Sequence, residues 1–296
     1  MKGVNTLVLS LLTTGLPLVS TKLAWKDTKF LFTFGDSYTT DGFNISAGVN
    51  SPVPNFTSAN GPNWVQYLGG QYNVTDMSVF NLASGGATID AALVPPFLPT
   101  VLSIVDQVQQ FKTFLSHKPA GAKWDSSDSL FAFWIGINDV GNSAGWTNIT
   151  RPGFYTTLME RLTTQLDELH ALGARSFLFL TVPPTDRSPL VLQQGRQAST
   201  LMHSFISEYN TQLQVTLKRF QQKNSVNDMV LFDTQPVFNS LLDSADVVGY
   251  VNVTGWCTAY ENGIGSFGKN TQVGGCAPVA SYFWLNSLHP LFTVHG

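Results

Sequence analysis

Charge is scarce in this chain. Only 12% of its 296 residues are Asp, Glu, Lys or Arg, and the formal net charge is −3. That leaves no basic stripe of the kind nucleic acid requires, so nucleic acid is excluded as a partner. Cysteine is scarcer still. Cys257 and Cys276 are too few for a thiolate cluster, and the five histidines show no ligand spacing, so neither metal nor cofactor is expected. Beyond the first 20 residues no apolar run approaches the length of a membrane span. Linkers, internal repeats and low-complexity tracts are also missing. Residues 21–296 therefore read as one domain with a core large enough to fold alone, expected as a monomer.

Residues 1–20 carry Lys2, then a Leu- and Val-rich run with Ser and Thr, ending in Pro17-Leu-Val-Ser20. This is the pattern of a signal peptide, with cleavage expected near Ser20 or Thr21 and a secreted product. Five Asn-x-Ser/Thr sequons, at Asn44, Asn55, Asn73, Asn148 and Asn252, agree with an expected glycoprotein. In an oxidising compartment Cys257 and Cys276 are expected to pair. A loop of that size gains on the order of 3 kcal/mol in the chain-entropy account. It would hold an irregular, Gly- and Asn-rich segment just ahead of His289.

The most telling segment runs from Phe30 to Tyr38. Residues 30–34, FLFTF, form a continuous apolar run, as a strand buried on both faces does. The run stops at Gly35-Asp36-Ser37. Gly35 permits a sharp exit, which puts a hydroxyl at the carboxyl end of a parallel strand, where open α/β sheets place their sites. Gly-Asp-Ser alone is also a common turn. A serine nucleophile needs a base, and three further blocks offer partners. MSVFNLA (77–83) runs into Ser84-Gly85-Gly86-Ala87-Thr88, and SLFAFWI (129–135) into Gly136-Ile137-Asn138-Asp139. Asn286-Ser287-Leu288-His289-Pro290 comes near the end.

With YTTDGFN, NLASGGATID, FWIGINDV and YFWLNSLHP in order, residues 28–296 resemble the SGNH, or GDSL-type, hydrolases. They are most similar to the fungal acetylesterases of carbohydrate esterase family 16. The resemblance implies Ser37 as nucleophile and His289 as the base that later protonates the leaving alcohol. It implies an oxyanion hole made by the Ser37 and Gly86 backbone N–H groups and the Asn138 amide. One position departs from the pattern. The usual last block is Asp-x-x-His, and Asn286 stands where the Asp would be. Asn can accept from His289 Nδ1–H but brings no charge, and turned round it would favour the wrong tautomer. In serine proteases that substitution costs ~10⁴-fold. His117, His170 and His203 lie in helical patterns and His295 at the terminus, so none is a rival base.

Elsewhere the apolar periodicity predicts helices over 101–116, 154–172 and 195–222, and strands over 176–182 and 229–232. Alternating strands and helices imply an α/β protein, a parallel sheet covered on both faces in three α/β/α layers. The family resemblance adds five strands in flavodoxin-like order. It also implies a helix after the His-Pro block, where only Leu291–Gly296 follow. That helix is expected to be absent or cut off, leaving an apolar strip uncovered. Trp134, Trp256, Tyr282, Phe283 and Trp284 flank the blocks, either as sugar-stacking rings or as core. The expected activity is removal of acetyl or other short acyl groups from carbohydrate esters through an acyl-enzyme. The alternatives are a short-chain esterase or lipase on other alcohols, and a weakened or inactive carbohydrate-binding relative.

Overall fold

A computed structural model describes residues 23–261 and 268–296. The expected leader, residues 1–20, lies outside them. Five strands, β1 (Phe30–Gly35), β2 (Ser78–Asn81), β3 (Ser129–Trp134), β4 (Ser176–Leu180) and β5 (Asp228–Phe232), form one sheet. Every pairing is parallel and the spatial order is β2-β1-β3-β4-β5, as expected.

The phenylalanines explain much of the register. Strand side chains alternate between faces, so Phe32 and Phe34 share one face with Phe131, Phe133, Phe177 and Phe179. Across the strands they form two rows of rings. Phe80, Phe32, Phe131 and Phe177 follow one another at 5.4, 4.9 and 5.9 Å. Phe34, Phe133 and Phe179 stack at 4.6 and 4.7 Å. A slip of one residue would turn each ring to the opposite face.

Among the described residues ten helices accompany the sheet: α1 (Trp64–Gln66), α2 (Ile104–Phe114), α3 (Ile137–Ser143), α4 (Arg151–Ala171), α5 (Pro189–Leu192), α6 (Arg196–Lys223), α7 (Thr234–Asp243), and three of four residues, Ala245–Val248, Thr258–Glu261 and, after the His-Pro block, Phe292–His295. On the phenylalanine face, α4 packs between α2 and α6. Phe111 of α2 stands edge-on to Phe32 at 5.2 Å, and Phe220 of α6 edge-on to Phe177 at 5.9 Å. The other face takes α7, where Phe238 meets Trp134 at 6.3 Å. Helix α2 begins later than its periodicity predicts. Ser103 caps it through Asp106, fixing the start at Ile104. Helix α3 escaped the sequence reading, being short and mostly polar. At the β5 edge Val230 and Phe232 are half exposed, an apolar strip beside Leu178 and Leu180.

Phe131 is fully buried, with the Phe32, Phe111, Trp124 and Phe177 rings all within 5.9 Å. Phe131→Ala should therefore cost about 3–5 kcal/mol of unfolding free energy in urea titration. A loss below about 1 kcal/mol would show that the rows do not hold the layers together.

Candidate active site

The serine turn is held from several sides. A Cβ at Gly35 would lie 2.4 Å from the Trp134 carbonyl oxygen, so only glycine lets β1 leave the sheet this close to β3. Gln107, fully buried on α2, accepts from Gly35 N–H and donates to Gly35 C=O, both at 2.9 Å. Asp36 Oδ1 accepts from Tyr38 N–H, and the Asp36 carbonyl takes Thr39 N–H and Thr40 N–H. Beyond the turn, Asn63 and Asn81 donate to the Thr39 carbonyl at 2.8 and 2.6 Å. Ser37 is left half-buried at the carboxyl edge of the sheet. Burial raises the Asp36 carboxyl to about 7, with a smaller push from the Asp139 charge.

His289 arrives from a loop 252 residues away, and its Nε2 lies 2.7 Å from Ser37 Oγ. Asn286 decides what that contact can do. Its Oδ1 accepts from the backbone N–H of Leu288 at 3.0 Å and of His289 at 2.8 Å. Both donors are main-chain, so the carboxamide cannot be turned round without losing two hydrogen bonds. The same oxygen lies 3.1 Å from His289 Nδ1, which must therefore carry its proton and donate. The lone pair is thereby placed on Nε2, facing the serine hydroxyl. The feared wrong tautomer does not arise. What Asn286 does not bring is charge, and burial pushes the imidazole down from 6.5 to about 4.

Tyr38 was not recognised from sequence, although it follows Ser37 directly. It is buried, and its hydroxyl donates to the Leu288 carbonyl at 2.6 Å, tying the histidine loop to the serine turn. Leu285 N–H to His289 C=O and Leu291 N–H to Phe283 C=O, both at 2.8 Å, close the loop on itself. The Cys257–Cys276 disulfide is present. Cys276 packs in a small apolar cluster with Tyr260, Tyr282, Leu285 and Phe292, below the histidine loop.

In the turn after β2, whose Gly85 lies beside Ser37, Gly86 has φ +84° and is buried. Among the described residues, no protein acceptor is recorded for the backbone N–H groups of Ser37 and Gly86. Asn138, in the first turn of α3, donates one amide hydrogen to the Ala87 carbonyl at 2.9 Å. That bond fixes its nitrogen on the glycine-turn side and leaves the second hydrogen available. The next residue, Asp139, is fully buried and receives Ile89 N–H. Helix α3 thus holds the glycine turn through two consecutive side chains.

The flanking aromatics resolve toward the core. Trp134, Tyr282, Phe283 and Trp284 are buried, and the indoles of Trp134 and Trp284 donate to the Thr181 and Val253 carbonyls. They are unavailable for stacking on a sugar, because the sheet edge and the disulfide region need them as filling. Trp256 is half-buried, with its indole on Glu261. Of the other histidines, His170 bonds the Ser225 carbonyl and His203 pairs with Asp186. His295 packs against the Tyr38 and Trp134 rings, both at 6.1 Å. Burial, and less strongly His289, lowers it to about 3.

A hydroxyl paired with a tautomer-fixed imidazole, on the carboxyl edge of a doubly covered parallel sheet, has the layout of a serine hydrolase on a three-layer α/β/α fold. The GDSL-like Lipase/Acylhydrolase family matches residues 31–272, and the chain belongs to it. It is 35% identical to an acetylesterase of Thermothelomyces thermophilus over 97% of this chain and 91% of that protein. It is 30% identical to an acetylesterase of Hypocrea jecorina over 52% of this chain and 48% of the relative. Among solved structures, an acetylxylan esterase from Geobacillus stearothermophilus overlaps 91% of each chain at 16% identity, with a TM-score of 0.48. The chain is a carboxylic ester hydrolase.

The His289 environment makes a prediction of its own. Nitrogen-detected NMR should find Nδ1 protonated and Nε2 bare, with titration at about 4 instead of 6.5. Asn286→Asp should raise that pKa, because a carboxylate stabilises the imidazolium. Titration of the natural side chain near 6.5 would contradict the buried, uncharged setting.

Proposed function

We propose that the protein is a secreted serine esterase that removes acetyl and other short acyl groups from carbohydrate esters through an acyl-enzyme. The observation that carries this reading is the 2.7 Å contact between Ser37 Oγ and a His289 Nε2 whose tautomer Asn286 fixes. In the first step Ser37 Oγ attacks the ester carbonyl carbon while its proton passes to Nε2. The carbonyl electron pair moves onto oxygen, which the N–H groups of Ser37 and Gly86 and the Asn138 amide receive. When the intermediate collapses, the alcohol leaves with the proton from His289, and the acyl group stays on Ser37. Water then attacks with the same base, releasing the acid and restoring the hydroxyl.

The acetylesterase names of the two curated relatives support a short acyl group. The carbohydrate alcohol is supported by the resemblance to carbohydrate esterase family 16. Secretion is supported by the leader pattern of residues 1–20, the disulfide and the sequons, of which Asn44, Asn55 and Asn148 are exposed. Asn73 and Asn252 are half-buried and engaged, Asn73 Nδ2 with the Thr75 carbonyl and Asn252 Oδ1 with Thr254 N–H.

Acetate release from an acetylated xylo-oligosaccharide is the test, with a serine-reactive organophosphonate as control. Ser37→Ala should abolish both acetate release and the single phosphonate adduct, seen by intact mass, while shifting Tm by only a few degrees. An adduct elsewhere, or undiminished release, would refute the assignment. Asn138→Ala should lower kcat by ~10²-fold or more and KM less, because the donor acts as charge develops on oxygen. An effect confined to KM would make Asn138 a binding residue.

The base must be neutral to accept the serine proton. Its activity is therefore present above its pKa and lost as the pH falls through about 4. The acid limb of kcat/KM should lie there. Asn286→Asp should move the limb upward and raise kcat near neutral pH by ~10–10³-fold, below the ~10⁴-fold ceiling of the reverse change in serine proteases. An unmoved limb would mean that Asn286 does not set the base.

A further inference from the structure

We propose that Phe97 is a subsite for the sugar ring of the leaving alcohol, seated against the glycine that supplies the oxyanion donor. This deepens the reading above and rests on it. Phe97 is 70% exposed, while the aromatic residues in the catalytic blocks are mostly buried. Its Cε1 and Cδ1 atoms lie 2.2 and 2.6 Å from where a Cβ on Gly86 would stand, so one ring edge rests on Gly86 and takes that space. The preceding residue, Gly85, faces the Ser37 Cβ across 4.0 Å from its own Cβ position. Two adjacent glycines thus separate the nucleophile from an open phenyl face.

The ring is held in place as well as exposed. Its loop reads Pro95-Pro96-Phe97-Leu98-Pro99, and three prolines remove much of the freedom that ordering it on binding would cost. Val94 and Val101 are buried on either side. Thr88 Oγ1 donates to the Val94 carbonyl at 2.8 Å and Asn142 to the Pro95 carbonyl at 3.3 Å, while Ser84 Oγ accepts from Leu102 N–H at 3.1 Å. Those bonds tie the loop to the glycine turn and to α3, the elements that carry the proposed oxyanion donors. Any displacement of Phe97 is therefore coupled to the place where the ester carbonyl sits.

The chemistry of the ligand follows from the shape of this surface. An acetyl methyl needs a small enclosed recess, and an open ring face encloses nothing. A pyranose offers a flat array of C–H groups that lies well on an aromatic face and keeps its hydroxyls in water. Phe97 therefore reads the alcohol side of the ester, and selects for a ring there.

Three acyl esters separate the outcomes: an acetylated methyl xyloside, ethyl acetate and ethyl butyrate. Phe97→Ala should lower kcat/KM for the xyloside about tenfold, mainly through KM, the size expected for loss of one stacked ring. Ethyl acetate and ethyl butyrate should change by less than about threefold, since they have no ring to stack. Phe97→Trp should restore the xyloside activity. An equal loss on all three esters would make Phe97 a mere support for Gly86 and overturn the proposal. So would a changed preference between acetate and butyrate, which would put the ring on the acyl side, or no change on any ester. If the natural protein turns over ethyl acetate but not the xyloside, the carbohydrate reading fails and this subsite with it. If both are substrates and the variant loses nothing on the xyloside, only the subsite fails.

Discussion

One carbonyl oxygen governs the working geometry of this protein. Asn286 Oδ1 takes the N–H groups of Leu288 and His289 and faces Nδ1 of the imidazole. The two main-chain donors settle which end of the carboxamide points inward, and the carboxamide settles which ring nitrogen is bare. An aspartate would do this through charge. Here it is done by hydrogen-bond bookkeeping on a neutral group, and the electrostatic consequence is a base held far below the usual histidine range by its own burial. A loop fixed this way must also be brought to the serine, and Tyr38, through its bond to the Leu288 carbonyl, joins the two at the first position after Ser37.

The sheet makes that meeting possible. Its two rows of phenylalanines pin the register of neighbouring strands, so β1 and β3 end level at Gly35 and Trp134, and β2 ends opposite Thr33 on the same edge. The serine turn, the glycine turn and α3 all start from those ends. Each is then cross-braced by polar side chains: buried Gln107 on Gly35, Asn81 on Thr39 and Asp139 on Ile89, and half-buried Asn138 on Ala87. These side chains take up backbone groups that the turns leave free, which is how a chain with so few charges holds its irregular segments, although Asp36 Oδ2 is buried without a partner.

The strand–helix alternation and the serine at a strand end were legible because their signals are local, while the strand order and the pairing with His289 were expected from the family resemblance. FLFTF followed by Gly-Asp-Ser marks a buried strand with a hydroxyl at its end, whereas Gly86 and Asn138, after the next two apolar runs, stood out only through the resemblance of their blocks to a known family. Helices α2, α4 and α6 announced themselves through periodic apolar faces, with errors of a few residues where a cap decided the start, as Ser103 does for α2. The aromatics near the blocks were ambiguous for a physical reason. A tryptophan that fills a sheet edge and one that stacks on a sugar have the same composition and neighbours in sequence, and only burial tells them apart.

By itself, then, the sequence determined the strand–helix alternation, the residue types of the site and the missing charge at position 286, since each is a property of a short stretch and its side chains. Tertiary structure alone decided the rest. It decided that Asn286 presents oxygen and not nitrogen, because the donors that choose between them exist only once the loop is closed. It decided that Tyr38 reaches Leu288 across 250 residues of chain. It decided, too, that Trp134 is core while Phe97, thirty-seven residues earlier, stands open against Gly86. Contacts between residues far apart in sequence leave no local pattern, and the exposure of a ring depends on everything folded around it.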